Sequence, residues 1–209
     1  MRKERKDFVV AITTISCRDP KWCYTKSLVA MQSWVSERGI RNRPAISFLN
    51  LADQCPLLII GRQNLLLAAL AMQGVTHICW IDDDVEWPKD LLDHICFEGS
   101  AVGVNIRRKD EKNYYTSAED LEGKMLLSHG KHGLQEVSSV GLGIFCLDLY
   151  LIRDILPPHF ATPHHDGQKC PEGEDKYFIR KLREAGVKVK VSHDASNLVG
   201  HCGNFIYRM

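Results

Sequence analysis

The sequence predicts an α/β sandwich built on a mostly parallel sheet, in a single domain spanning residues 1–209. Short apolar runs ended by polar residues alternate with stretches whose apolar residues recur at helical spacing. The runs are continuously apolar, as strands covered on both faces are. A chain of 209 residues, 44% hydrophobic and 25% charged, suits one globular domain with a sizeable core.

The elements follow in order. Phe8-Val9-Val10-Ala11-Ile12 opens a central strand over 8–15. Asp19-Pro20 turns the chain, and Leu28, Met31, Trp34 and Val35 recur at helical spacing until Gly39, which is placed to stop that helix. Ala45–Leu51 reads as a second strand. Leu57 to Met72 reads as a strongly apolar helix with Arg62, Gln63 and Asn64 near its start. His77–Ile81 is a third strand running straight into Asp82-Asp83-Asp84, and Pro88 suits the first position of a helix carrying Leu91, Leu92 and Ile95.

Ala101–Ile106 is expected as a fourth strand, followed by hairpins and loops to Glu136. Val137–Leu147 is strand-like around Gly141 and Gly143, and Tyr150–Leu156 reads as a short helix stopped by Pro157-Pro158. A polar loop leads to Gly173. The helix Glu174–Ala185 ends at Gly186, and the alternation of Val187, Val189 and Val191 predicts a final edge strand. Loops over 109–135 and 157–173 are the candidates to close over a ligand.

Charge and cysteine usage narrow the function classes. Lys plus Arg number 27 against 26 for Asp plus Glu, a net charge of +1, so no whole-protein field gathers nucleic acid, though a local basic patch stays open. The longest apolar runs, such as Leu65–Met72, fall short of the roughly 20 residues of a membrane helix, and no transmembrane segment is expected. The basic start runs into an apolar stretch that breaks at Thr13-Thr14 without a small-residue cleavage site, which reads as a strand and not as a signal peptide. Eight cysteines lie at irregular spacing with no Cys-x-x-Cys pair, which predicts free thiols and a cytoplasmic location.

In open parallel sheets, ligands bind beyond the carboxyl ends of the strands. The polar residues there are Thr13, Thr14 and Ser16, then Asn50 and Asp53, then Asp82 to Asp84, then Asn105, Arg107 and Arg108. Three adjacent carboxylates at a strand exit repel one another and call for a counter-cation; an oxygen-rich cluster suits Mg²⁺ or Mn²⁺. The bland alternative is a solvated acidic turn. Glu174-Asp175 opens a helix, where the dipole favours carboxylates, and one of them can serve as a general base. His201 lies between glycines, a candidate metal ligand or an ordinary surface histidine. Gly141 and Gly143 suggest a bulge or a close approach of substrate to backbone. Arg107, Arg108 and Lys109 make either a phosphate contact or a solvated basic turn. His164-His165 with Cys170 offers a weak zinc alternative.

Taken in this order, the features resemble the A-type-fold glycosyltransferases grouped around family 2, which use nucleotide sugars; the resemblance runs from Val9 to about Tyr207. It implies that Thr13 and Thr14 lie by the base and ribose, and that Asp82-Asp83-Asp84 is the Asp-x-Asp motif. Asp84 and His201 would then hold Mn²⁺ or Mg²⁺, with Asp82 near the ribose and the metal. Asp53, Arg62, Asp83 and Arg107 join the expected donor-binding set.

The resemblance makes Asp175 the base, with Glu174 beside it, and Glu136–Phe145 the acceptor-side segment. Two departures stand out: Arg62-Gln63-Asn64 replaces the usual Arg-Asn pair, and Leu142 stands where a small or polar residue is common. The implied donor is a nucleoside-diphosphate sugar, a UDP-hexose above all; the acceptor is open among a glycan, a protein and modified DNA. Small stand-alone chains carrying Trp80-Ile81-Asp82-Asp83-Asp84-Val85-Glu86-Trp87-Pro88 look like viral members. Asp175 acting as base gives inversion; a retaining outcome would leave it orienting the acceptor. The rivals are a two-metal nuclease or phosphotransferase using Asp82, Asp84, Glu86 and Asp175, and a non-catalytic nucleotide- or glycan-binding module.

Overall fold

The computed structural model describes residues 7–15, 21–38, 57–110, 114–162, 172–203 and 206–209, together with the backbone of 46–53. The elements are β1 (Phe8–Ile15), α1 (Trp22–Arg38), β2 (Ile46–Asp53), α2 (Leu58–Ala71), β3 (His77–Ile81), β4 (Val85–Glu86), α3 (Leu91–Ile95), β5 (Ala101–Gly103) and β6 (Ala118–Glu119). They continue with β7 (Leu134–Glu136), β8 (Ser139–Val140), β9 (Ile144–Asp148), a 3₁₀ turn (Leu149–Ile152), α4 (Glu174–Glu184), β10 (Lys190–Ser192), α5 (His193–Leu198), β11 (Gly200–Cys202) and β12 (Ile206–Arg208).

The central sheet has seven strands in the order β2-β1-β3-β9-β5-β10-β7. β2, β1 and β3 are mutually parallel, β9 runs antiparallel to both β3 and β5, and β10 returns parallel to β5. The expected α/β architecture with a mostly parallel sheet is therefore observed. Side chains leave a strand on alternate faces, and this splits the core in two. Ala11, Trp80 and Phe145 pack with Leu66 and Ala69 of α2 and Phe178 of α4. Val10, Ile12, Cys79 and Ile81 pack with Tyr24 and Met31 of α1, Leu91 of α3 and Ala195 of α5. Trp80 is wedged among Phe145, Phe160 and Phe178 at centroid distances of 6.3, 5.8 and 5.5 Å. The described cysteines, 23, 79, 96, 146 and 202, are free thiols.

Five expected elements come out differently, the first being the helix expected to open at Pro88, which begins only at Leu91. β10 is not an edge strand, because β7 pairs along its outer side; Val189 and Val191 are fully buried. The fourth strand stops at Gly103, and Val104 hands its N–H to Ile144 as the chain bends away. The single strand expected over 137–147 is two. β8 pairs with β6 outside the central sheet, and the chain enters that sheet only at Ile144, with Gly141-Leu142-Gly143 as the joint. The short helix after β9 is one 3₁₀ turn, its first turn capped by the Asp148 carboxylate, which accepts the Tyr150 N–H at 3.0 Å. The turn at Asp19-Pro20, the stop at Gly39, and His164, His165 and Cys170 lie outside the described residues, as do Ser16, Cys17 and Cys55.

Gly103 lets β5 pass β8 closely. A Cβ there would sit 2.7 and 2.9 Å from the two Val140 methyls and 3.1 Å from Phe145 Cδ2. Both neighbours are fully buried and cannot retreat. Gly103→Ala is expected to destabilise the fold by about 1–3 kcal/mol through overpacking, measured as a lower urea midpoint.

Candidate active site

The Asp82-Asp83-Asp84 trio leaves β3 with its backbone tied to three separate segments. Asp82 donates its N–H to Gly143 O at 2.9 Å, Asp83 O accepts from Lys21 at 3.1 Å, and Asp84 O accepts from Cys202 at 2.7 Å. These bonds hold three like-charged residues in fixed positions, and the Asp82 and Asp84 side chains then meet different partners.

Asp82 faces a crevice of about 280 Å³ at the carboxyl end of the sheet, whose lining includes Arg62, Arg108, Ser117, Gly141, Leu142, Gly143, Glu174, Asp175 and His201. A larger hollow of about 460 Å³ at the other end of β5, among Phe97, Tyr150 and Lys188, gathers no comparable set of acid–base groups. Two glycines shape the catalytic-looking crevice. A Cβ on Gly143 would lie 3.3 Å from Asp82 Oδ2, and one on Gly141 would lie 3.6 Å from Asp175 Oδ2. The two carboxylates thus flank the Gly141-Leu142-Gly143 joint, which also passes Ser117 Cβ at 3.1 Å and Ile106 Cδ1 at 3.0 Å from where a Cβ would stand.

Arg62 of α2 is buried and ties the two walls together. Its Nη2 lies 3.3 Å from Asp82 Oδ1 and its Nη1 3.3 Å from Glu174 Oε1. Burial raises the Asp82 carboxyl above its ordinary value, and more than the Arg62 charge lowers it. The 41% of the Asp82 side chain still open to the crevice lets water temper that rise. Asp175 sits in the first turn of α4, where Oδ1 accepts the Lys176 N–H at 2.8 Å and Oδ2 points towards Gly141.

Asp84 turns the other way, to β11. His201 Nε2 lies 3.4 Å from Asp84 Oδ1, and the Lys109 ammonium makes a direct ion pair with Asp84 Oδ2. Burial would raise this carboxyl, but hydrogen bonds and charge from His201 and Lys109 outweigh it and bring its pKa down to about 2. His201 Nδ1 lies 3.1 Å from Arg107 O. A carbonyl only accepts, so Nδ1 is the donor; Nε2 pairs with Asp84 when it carries a proton and can bind a metal only when it does not.

A carboxylate and an imidazole are donors that suit Mn²⁺ or Mg²⁺, which complete their shells with water and phosphate oxygens. The Lys109 ammonium already stands as a cation on that carboxylate. Among the described residues no group of three or more His, Cys, Asp or Glu side chains forms a metal site by itself. Asp82, expected near the ribose and the metal, pairs with Arg62 through Oδ1 while Oδ2 faces the Gly143 side of the crevice.

Several expected contacts point elsewhere. Thr13 is fully buried and its hydroxyl donates to Cys79 O at 3.3 Å, so it offers a ligand no surface. Asn105 is likewise internal, donating to Leu126 O at 2.7 Å. Thr14 is buried near Tyr24 and has, among the described residues, no hydrogen bond of normal length; burial pushes the Tyr24 hydroxyl up to about 12, with the Asp83 charge adding to the rise.

The Arg107 guanidinium lies 4.6 Å from the Tyr114 ring and 5.7 Å from that of Tyr207, so it serves packing while Arg108 lines the crevice. Asp53 closes β2 opposite Ile15. Glu86, needed by the two-metal reading, is held by Lys26 and Arg208 at 3.4 and 2.6 Å instead of joining Asp82 and Asp175. Lys109 was visible in the sequence only as the third residue of a basic turn.

No family model matches the chain, and no curated protein matches it. Solved structures share its fold. A197 from STIV aligns over 97% of this chain and 98% of its own, at 14% identity and a TM-score of 0.58. The Drosophila β-1,4-galactosyltransferase 7, in a complex with manganese, UDP-Gal and xylobiose, aligns over 94% of this chain and 71% of its own, at 14% identity and a TM-score of 0.55. GalNAc-T7 with UDP, GalNAc and Mn²⁺ aligns over 96% of this chain but only 43% of its own, at 12% identity and a TM-score of 0.54. These likenesses establish the A-type glycosyltransferase fold. No described helix is long and apolar enough to cross a membrane.

Proposed function

We propose that the chain is a divalent-metal-dependent glycosyltransferase moving a hexosyl unit from a nucleoside-diphosphate sugar, a UDP-sugar in the first instance, to an acceptor hydroxyl. One observation carries the reading: Asp82 and Asp175 face a single crevice across a glycine joint, and His201, which also lines it, pairs with Asp84 behind. The two solved glycosyltransferases of this fold hold UDP or UDP-Gal together with manganese, which supports the same ligand class here.

Asp84 and His201 would hold the divalent cation, which when bound supplies Lewis-acid neutralisation of a departing diphosphate. The remaining roles belong to side chains. Asp175 accepts the proton of the acceptor hydroxyl at one carboxylate oxygen while the acceptor oxygen attacks the anomeric carbon. One displacement of this kind inverts the configuration. Arg62 holds Asp82 and Glu174 in place, and Arg108 adds positive charge to the wall that a diphosphate would meet. Gly141 and Gly143 put no side chain beside the two carboxylates.

The test is a panel of sugar nucleotides screened by thermal unfolding with Mn²⁺ and with a chelator. Stabilisation by one donor, dependent on the metal, is the expected result; at a hundred times the dissociation constant it corresponds to about 2.7 kcal/mol. No response to any donor, alongside hydrolysis of phosphodiesters, would replace the reading with the nuclease.

A further inference from the structure

The segment that follows β5 returns towards the crevice as a narrow arm. Arg107 bridges to Thr116, and Arg108 donates its N–H to Tyr115 O at 2.8 Å. The arm carries Arg107, Arg108 and Lys109 in a row, and each goes to a different place. Arg107 stacks on Tyr114 and Tyr207, Arg108 lines the crevice, and Lys109 reaches Asp84.

We propose that Lys109 is an internal counter-ion of the metal site: its ammonium occupies the Asp84 carboxylate and must be displaced before a divalent cation can bind there. The inference rests on the transferase reading for the identity of the site, but it concerns this chain's own lysine. Both oxygens of Asp84 are already engaged, Oδ1 by His201 at 3.4 Å and Oδ2 by Lys109. A metal on Asp84 therefore competes with a full positive charge at contact distance.

Only 28% of the Lys109 side chain and 17% of that of Asp84 are exposed, so solvent screens the pair incompletely. The competition has two parts that add: the ion pair must open, and the ammonium repels the incoming dication until it moves. An exchange of cations leaves Asp84 neutralised throughout, which avoids the cost of a bare, half-buried carboxylate. Lys109 also lies on an arm, not on a strand or helix, so its departure breaks no sheet or helix bond. Metal affinity then depends on Lys109 as well as on Asp84 and His201.

The test titrates Mn²⁺ alone, without donor, following the free ion by electron paramagnetic resonance. Lys109→Met is expected to bind Mn²⁺ about tenfold more tightly than the parent, because no ion pair has to open and no ammonium repels the dication. Lys109→Arg, which keeps the charge, is expected to show no gain, and adding Asp84→Asn to Lys109→Met is expected to abolish it. If Lys109→Met fails to fold, Lys109→Gln replaces it, since a neutral amide removes the charge while keeping a donor for Asp84. Equal or weaker Mn²⁺ binding in the folded neutral variant, with the parent still binding, overturns the counter-ion role and leaves the transferase reading standing. No Mn²⁺ binding by the parent or any Lys109 variant overturns both.

Discussion

Asp175→Asn is expected to reduce sugar transfer by about a hundred- to ten-thousand-fold while leaving metal-dependent donor binding intact. The substitution is close to isosteric. Its amide oxygen can still accept the Lys176 N–H that Asp175 Oδ1 takes at 2.8 Å, so the first turn of α4 keeps its bond. What disappears is the ability to take a proton at the oxygen facing Gly141. The Arg62 tie runs through Glu174 and Asp82 and is untouched. Transfer is measured as sugar moved to acceptor and donor binding by thermal stabilisation, both on the same preparation. Transfer within tenfold of the parent would remove Asp175 from the role of base. Unaltered donor binding with no transfer in the parent as well would identify a binding module instead.

The second large effect is expected at Arg62. Arg62→Met keeps most of the side-chain volume but strands Asp82 and Glu174 on facing walls without their shared cation. Breaking a fully buried pair costs about 3–5 kcal/mol; here Asp82 and Glu174 keep 41% and 23% of their side chains exposed, which discounts the loss to about 2 kcal/mol. Arg62→Lys is expected to recover only part of it, because one ammonium cannot reach two carboxylates as a planar guanidinium does.

The pH dependence has a definite sign. Burial already raises the Asp82 carboxyl in the parent, and losing Arg62 raises it further. A raised folded-state value means that the native state binds the proton more readily, so the deficit is full well above that value and shrinks as pH falls through it. Urea midpoints of parent and variant at pH 7 and pH 4.5 measure it. A deficit that is equal at both would locate the loss in packing and not in charge.

Much of this molecule was legible without coordinates. The apolar runs at 8–12 and 77–81 could only be buried strands, and the helix over 174–184 had its start and its Gly186 stop written locally. Asp82-Asp83-Asp84 and Glu174-Asp175 were found because a carboxylate cluster at a strand exit or helix start is a local pattern with a local physical reason. The alternation at Val187, Val189 and Val191 misled about position in the sheet. Periodicity reports how a strand's faces are buried, and says nothing of whether β7 will pair along its open side. The 137–147 run failed similarly, since only the folded chain shows that it leaves the pairing with β6 for the central sheet at a joint where Gly141 passes Ser117 and Gly143 passes Ile106 and Asp82.

The order of strands and helices, the two-faced core and the places where carboxylates gather were determined by the sequence itself, through propensity and periodicity that act over a few residues. Which of those carboxylates share a crevice was decided only when the chain folded. Arg62 meets Asp82 across 20 positions and Glu174 across 112, Lys109 meets Asp84 across 25, and Arg107 O fixes the His201 tautomer across 94. Whether Thr13 and Asn105 face the ligand or the interior was decided in the same way. A polar side chain at a strand end is held by whichever partner the packed neighbours bring within about 3 Å, and that distance is a property of the assembled sheet.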